Sequence, residues 1–326
     1  MRLNQAEKYE IIRLVEQSSD SVNRTLKALG IHKSTFYRWY NAYLSEGYDG
    51  LSIKQTKRQS YWNQVPEKEQ RLILDMALEH TAKSSREIAY LYTDSFDKFI
   101  SESTVYRLLK RHGLIQTPAF ELIKAADEFK DKTTYVNQMW QTDFTYFKIP
   151  GWGWYFLSTV IDDYSRYIVH WKLYRNMRAE DAKETIEQAI IKSNLKPGQR
   201  PDKVLTDNGS SYIGAIFRDY LIDQGIKPVN GRPLHPQTQG KIERYHRTMK
   251  SVIKLDIYHR PEELVKALEK YVPYYNNERY HESIKNVVPA DVYFGTQHKI
   301  LKKRAKTKQK TLTIRRKEYL RNKIYF

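Results

Sequence analysis

Three acidic residues stand on separate stretches of the chain, each in a setting that suits chemistry. Asp143 sits inside the alternating segment Trp140-Gln141-Thr142-Asp143-Phe144-Thr145-Tyr146. A carboxylate within a strand is costly unless a charged group meets it. Asp207 closes the short apolar run Val204-Leu205-Thr206 and precedes Asn208-Gly209. Ligand sites in open α/β sheets lie at such carboxyl ends of strands. Glu243 lies in a helical stretch whose apolar stripe is Ile242, Tyr245 and Met249. Glu243, Arg247 and Lys250 follow at i, i+4 and i+7 on an adjacent face, so one acid and two bases point the same way. Three carboxylates on separate elements suit two hard divalent cations, which take oxygen ligands and leave positions for water and phosphate. Two such ions about 3.5–4 Å apart serve in-line displacement at a phosphodiester, which nearby Arg and Lys would hold. Each acid also has a plain structural reading. Asp-Asn-Gly is ordinary turn chemistry, and most helical glutamates are simply exposed. Asp143 is the hardest to dismiss.

The elements that must position these acids follow from periodicity. Residues 139–147 alternate as a strand, 154–161 form a second, and Tyr167 to Leu173 a third, joined by a Gly151/Gly153 turn and by Asp162-Asp163-Tyr164-Ser165. Ala182, Ile186, Ala189 and Ile190 then mark a helix. Val204–Thr206 is a short buried strand, Phe217, Tyr220 and Leu221 mark a helix, and 226–229 a last strand. Residues 231–238 are a Gly/Pro-rich loop, followed by helices over about 239–255 and 262–278. Three antiparallel strands followed by alternating helix and strand predict a mixed α/β sheet flanked by helices.

The preceding region is all-α. Residues 5–45 read as three short helices, with Gly30 in the turn before the third. Such a pair is a helix-turn-helix, whose second helix offers its N-terminal residues to base edges. Here those are Lys33, Ser34, Thr35, Tyr37 and Arg38. A weaker second unit follows, with helices near 66–80, 84–93 and 101–113, the last exposing Arg107 and Lys110. The alternative for each unit is a small helical packing module that touches no DNA, and it weighs more for the second unit than for the first.

The chain has 326 residues, with 56 Lys and Arg against 38 Asp and Glu, a formal +18. The last 28 residues alone carry 12 basic groups and one acidic. A polyanionic partner fits this balance through counterion release; a solvated basic tail is the plain alternative. Zero cysteines exclude disulfides and Cys-ligated metals. With no apolar leader and no span of ~18 apolar residues, the expectation is a soluble intracellular protein without a membrane partner. The boundaries expected are 1–50 and 51–115 for the two helix-turn-helix units, 116–135 for a linker, 136–298 for the α/β core and 299–326 for a basic tail. Within the tail only Thr311 to Ile314 reads as strand.

Taken together, the motifs are more specific than any acid alone. Trp140-Gln141-Thr142-Asp143, Leu205-Thr206-Asp207-Asn208-Gly209-Ser210 and His235-Pro236-Gln237-Thr238-Gln239-Gly240-Lys241-Ile242-Glu243-Arg244 occur in order, with 35 residues between the second and third acids. They closely resemble the Asp-Asp-Glu transposases of bacterial insertion sequences, which share the retroviral integrase catalytic core. The run from Tyr275 to His281, then Pro289-Ala290, is similar to the segment closing that core. The resemblance implies a ribonuclease-H-like fold, with Asp143, Asp207 and Glu243 binding two magnesium or manganese ions. It implies that Lys250 contacts element-end DNA. The activity implied is cleavage at element ends and transfer of the 3′-hydroxyl into double-stranded target DNA, in a complex at least dimeric, within a bacterial cytoplasm. The alternatives are a ribonuclease-H-like nuclease without strand transfer and an inactive DNA-binding regulator. The zinc-binding His-His-Cys-Cys domain of retroviral integrases is ruled out by the absence of cysteine.

Overall fold

The computed structural model describes residues 3–52, 61–115, 133–231, 240–254 and 256–324. Most of the expected linker, the loop at 232–239 with its His235–Gln239 motif, and residues 53–60 lie outside them. Two compact units are present, Met1–Tyr61 and Trp62–Phe326.

The smaller unit is three helices, α1 (Gln5–Gln17), α2 (Val22–Ala28) and α3 (Lys33–Glu46). Ile12, Val15, Leu26, Phe36 and Leu51 form its core. Asn4 caps α1 with Glu7 returning the bond, a reciprocal cap that fixes where the helix begins. Gly30 takes φ +65°, the left-handed conformation that turns the chain between α2 and α3.

The larger unit opens with α4 (Glu67–Glu79), α5 (Ser85–Phe96) and α6 (Glu102–Arg111). Ser84 and Ser101 cap α5 and α6 through their hydroxyls. The α/β portion follows: β1 (Met139–Ile149), β2 (Gly153–Asp162), β3 (Ile168–Tyr174), α7 (Ala179–Lys192), β4 (Lys203–Thr206), α8 (Ser210–Ile213), α9 (Ala215–Asp223), β5 (Lys227–Asn230), α10 (Gly240–Ile253), α11 (Pro261–Asn277) and α12 (Pro289–Tyr293). The sheet order is β3-β2-β1-β4-β5, antiparallel across β1–β2–β3 and parallel across β1–β4–β5. This is the ribonuclease-H-like mixed sheet expected from the sequence.

Alternation along β1 divides the core into two layers. Trp140 packs with Val160, Ile186, Val204 and Phe217 beneath α7 and α9. Phe147 and Ile149 pack with Tyr245, Met249, Leu264 and Leu268 beneath α10 and α11. Asn276, buried near the end of α11, clasps the β3 backbone: its amide donates to Ile168 O at 3.0 Å and accepts from Ile168 N–H at 2.9 Å. That pairing locks α11 to the sheet.

The C-terminal segment departs from the sequence reading. It is one long helix, α13 (Gln297–Ile324), with no strand at Thr311–Ile314. The flanking Lys, Arg and Gln favour helix, and the buried stripe is polar: Arg304, Thr307, Thr311 and Arg315. Arg304 forks onto both oxygens of Asp94 at 2.8 and 2.6 Å, Thr311 accepts from Phe99 N–H at 3.0 Å, and Arg315 reaches Glu69 at 2.8 Å. The tail is therefore a strut laid on the second helical unit, not a free basic arm.

His170 on β3 is buried with neither ring nitrogen hydrogen-bonded. Burial, then Lys192 and Lys172, hold its pKa down at about 4 against a weaker pull from Glu184. The unfolded ring, near 6.5, takes a proton first, so this contribution to stability is full above that pH and is lost as pH falls toward 4. Between pH 7 and pH 5 the expected loss from this ring is ~2 kcal/mol. Urea unfolding at both pH values, with His170→Phe flattening the difference, measures it.

Candidate active site

The parallel register of β1 and β4 brings the first two acids near one another. Trp140 faces Val204 and Gln141 faces Leu205. Asp143 stands two residues beyond Gln141 on β1, and Asp207 follows directly after the C-terminal end of β4, two residues beyond Leu205. Their proximity is felt electrostatically. Burial raises the Asp207 carboxyl above its ordinary range and the Asp143 charge adds to it, while the Gly209 N–H opposes both.

Asp207 is held by its own turn. Gly209 N–H donates to its Oδ1 at 2.9 Å, and Asn230 at the end of β5 donates to its carbonyl at 3.1 Å. A Cβ at position 209 would lie 2.8 Å from Asp207 Oδ1, so a side chain there would displace that carboxylate. Asn208 extends the tie to β5 by donating to Gly231 O at 3.0 Å.

Asp143 points toward α10. His246 Nδ1 lies 3.5 Å from its Oδ2, and the Asp143 side chain is 18% exposed. Lys250, one turn further along α10, also feels the Asp143 charge, which partly offsets the downward push of burial and of Lys254 on its pKa. Tyr212 of α8 forms a buried aromatic floor; burial first, then Asp143 and Asp207, hold its hydroxyl protonated. The sequence reading missed His246 and Tyr212. His246 follows Glu243 at i+3, a spacing that was available but carried no motif.

Glu243 is exposed in the first turn of α10, and Arg247 is exposed beyond it. The structure brings Asp143 and Asp207 together and does not gather Glu243 with them. Among the described residues no group of three His, Cys, Asp or Glu is placed to hold a metal ion. Glu243 nonetheless lies one helical turn, ~5 Å, before the residue that touches Asp143.

A second cluster fixes α10. The buried Asp163 accepts from Gln141 Nε2 and Thr133 Oγ1, each at 2.6 Å, and from Lys241 Nζ at 2.5 Å. Gln141 Oε1 in turn accepts from Ile242 N–H at 3.2 Å. The β1 residue two before Asp143 thus grips the residue before Glu243. From sequence, Asp163 reads only as a turn residue.

The proposed DNA-reading positions are accessible. Lys33, Ser34, Tyr37 and Arg38 are exposed on α3, with Thr35 half-buried; Arg107 and Lys110 are exposed on α6. Ser34 Oγ lies 2.8 Å from His32 Nδ1, and Arg107 Nε donates to Ser103 O at 3.0 Å.

Residues 134–236 and 224–289 match the family described as integrase core domain. Residues 2–52 and 35–109 match homeodomain-like domains. The chain is similar to the transposase for transposon Tn552 of Staphylococcus aureus, 26% identical over 277 residues, covering 76% of this chain and 56% of that protein. It is similar to the transposase for insertion sequence element IS904 of Lactococcus lactis, 28% identical over 147 residues, 45% of this chain and 56% of the relative. A segment of 117 residues is 34% identical to the Gag-Pro-Pol polyprotein of squirrel monkey retrovirus, 36% of this chain and 6% of the polyprotein. The chain thus spans little more than half the length of either transposase and a small part of the polyprotein. Residues 134–289 are thus similar to integrase core domains and residues 2–109 to homeodomain-like domains, and the chain is similar to the Tn552 and IS904 transposases.

Proposed function

We propose that the chain is a DNA transposase, a polynucleotidyl transferase acting in a bacterial cytoplasm. Its helical units bind the terminal inverted repeats of a mobile element. Its core cuts at the element ends and transfers the freed 3′-hydroxyl to target DNA. The observation that carries this reading is the closeness of Asp143 on β1 to Asp207 at the end of β4, felt in the Asp207 carboxyl, within a segment that matches the integrase core domain.

The acidic pair Asp143 and Asp207 supports a site for divalent cations, two in this reading. The Asp207 charge, disfavoured by burial and by the Asp143 charge beside it, is relieved by a hard cation. Asp143, Asp207 and, from α10, Glu243 would hold it. Magnesium or manganese bound there supplies the Lewis acid for displacement at phosphorus. The protein's part is placement. Lys250 and Arg247 hold the DNA backbone beside the acids, His246 steadies Asp143, and Gly209 fixes the Asp207 carboxylate. Joining two ends calls for at least a dimer in the DNA complex.

A strand-transfer assay with labelled end DNA and magnesium tests this. Joined products support it. Nicking without joining makes the protein a nuclease, and binding without nicking makes it a regulator.

End recognition is assigned to the start of α3. Lys33→Ala or Arg38→Ala in the full chain is expected to cost ~1–3 kcal/mol for a base contact, or to reduce the salt slope for a phosphate contact. Titrations of end and random duplexes at several salt concentrations separate the two. Equal binding of both duplexes by the wild type would remove the assignment.

A further inference from the structure

The hairpin of β1 and β2 carries aromatic residues that the core does not use. From Phe144 to Ser158 the chain has seven aromatic residues and no acidic one. Phe147 and Tyr155 are buried, but Tyr146, Trp152 and Trp154 remain 56%, 44% and 50% exposed. The antiparallel register pairs Lys148 with Trp154, which puts Tyr146, Lys148 and Trp154 on one face. The Tyr146 and Trp154 rings meet edge to face at 5.4 Å. A lysine attends each ring: Lys148 Nζ is 5.7 Å from the Trp154 centroid, and Lys250 Nζ is 4.6 Å from that of Tyr146.

The patch lies further along β1 from the acids. Tyr146 stands three residues beyond Asp143 on the same strand, ~10 Å along it and, by strand alternation, on the opposite face of the sheet. Among the described residues β4 pairs with β1 only as far as Gln141, so this part of β1 is open on that side. Lys250 spans the gap, since it feels Asp143 and covers Tyr146.

A ligand matched to this surface presents a flat π face and a negative charge a few ångströms apart. An unpaired nucleotide does so, and a paired one hides its base faces in the stack. A second copy of the same patch would oppose lysine to lysine, so charge complementarity favours nucleic acid. We propose that Tyr146 and Trp154 form a stacking platform for an unpaired base of the strand whose phosphodiester lies at Asp143 and Asp207, with Lys148 and Lys250 holding its phosphate. This rests on the DNA reading above.

The test uses the full chain in EDTA, where no cleavage intervenes. The probes are a blunt duplex and the same duplex with a short single-stranded 3′ overhang carrying 2-aminopurine. The wild type is expected to bind the overhang more tightly and to change its fluorescence. Trp154→Ala and Tyr146→Ala should lose about tenfold in overhang affinity, in the range of one lost stacking contact. They should lose the fluorescence change and keep blunt-duplex affinity within about twofold, and Trp154→Phe should restore most of the overhang binding. Equal losses on both probes, or no loss, overturn the platform. So does a shift in self-association by sedimentation with DNA binding intact, which makes the patch a contact between copies. Failure of the wild type to bind either probe instead overturns the DNA reading itself.

Discussion

Replacing Asp143 by Asn is expected to lower end cleavage about a thousandfold with magnesium, while duplex binding and folding survive. Asn keeps the shape and removes the charge that a cation needs. Loss of such a ligand forfeits several kcal/mol of transition-state stabilisation, and ~1.4 kcal/mol is tenfold in rate. Asp207→Asn and Glu243→Gln should act alike. Stability gives an independent readout. Because the Asp143 charge and burial both penalise the ionised Asp207 carboxyl, neutralising either member of that pair removes a repulsion. The Asp143 and Asp207 variants should therefore melt no lower than wild type. Activity lost at unchanged or raised melting temperature separates a working carboxylate from a structural one. Cleavage near the wild-type level in any variant would strike that acid from the set.

The order of strands and helices was legible because β1 alternates cleanly and the helices α7, α10 and α11 carry apolar stripes at helical spacing. The three acids are singled out in the sequence by their local motifs. Their juxtaposition was not legible: it depends on Gln141 pairing with Leu205, a register between strands over sixty residues apart. A slip of one residue would have turned the side chains of β4 to the other face and moved Asp207 away from Asp143. The helix α13 escaped for a different reason. Its buried face is Arg304, Thr307, Thr311 and Arg315, so no apolar period marks it, and the β-branched Thr and Ile near 311–314 mimic a strand. His246 escaped because its partner Asp143 lies on another element, and a contact between elements leaves no spacing to read.

The same limit hid Asp163, and it leads to the second large effect. Asp163→Ala is expected to lower folding stability by about 3–5 kcal/mol, the usual result of removing one member of a buried charge cluster. The carboxylate is 2% exposed and accepts from Gln141, Thr133 and Lys241. Arg166 also depends on it. Burial pulls the Arg166 guanidinium pKa down, and the Asp163 charge 4.0 Å away is the largest influence opposing that pull. Without Asp163 the Arg166 charge is left in a poorly solvated site and the Gln141 amide loses its acceptor. Asp163→Asn keeps an acceptor oxygen and should cost less than Asp163→Ala. The damage reaches the site through Gln141, whose Oε1 holds the Ile242 N–H at the start of α10. Glu243 is the next residue, so cleavage at saturating DNA should fall even where the variant is fully folded. A double-mutant cycle with Gln141→Ala reads the link: urea unfolding should show a coupling of at least ~0.5 kcal/mol between the two positions. Additive losses would mean that Asp163 shapes only its own turn, and that α10 is held by its apolar face on the sheet alone.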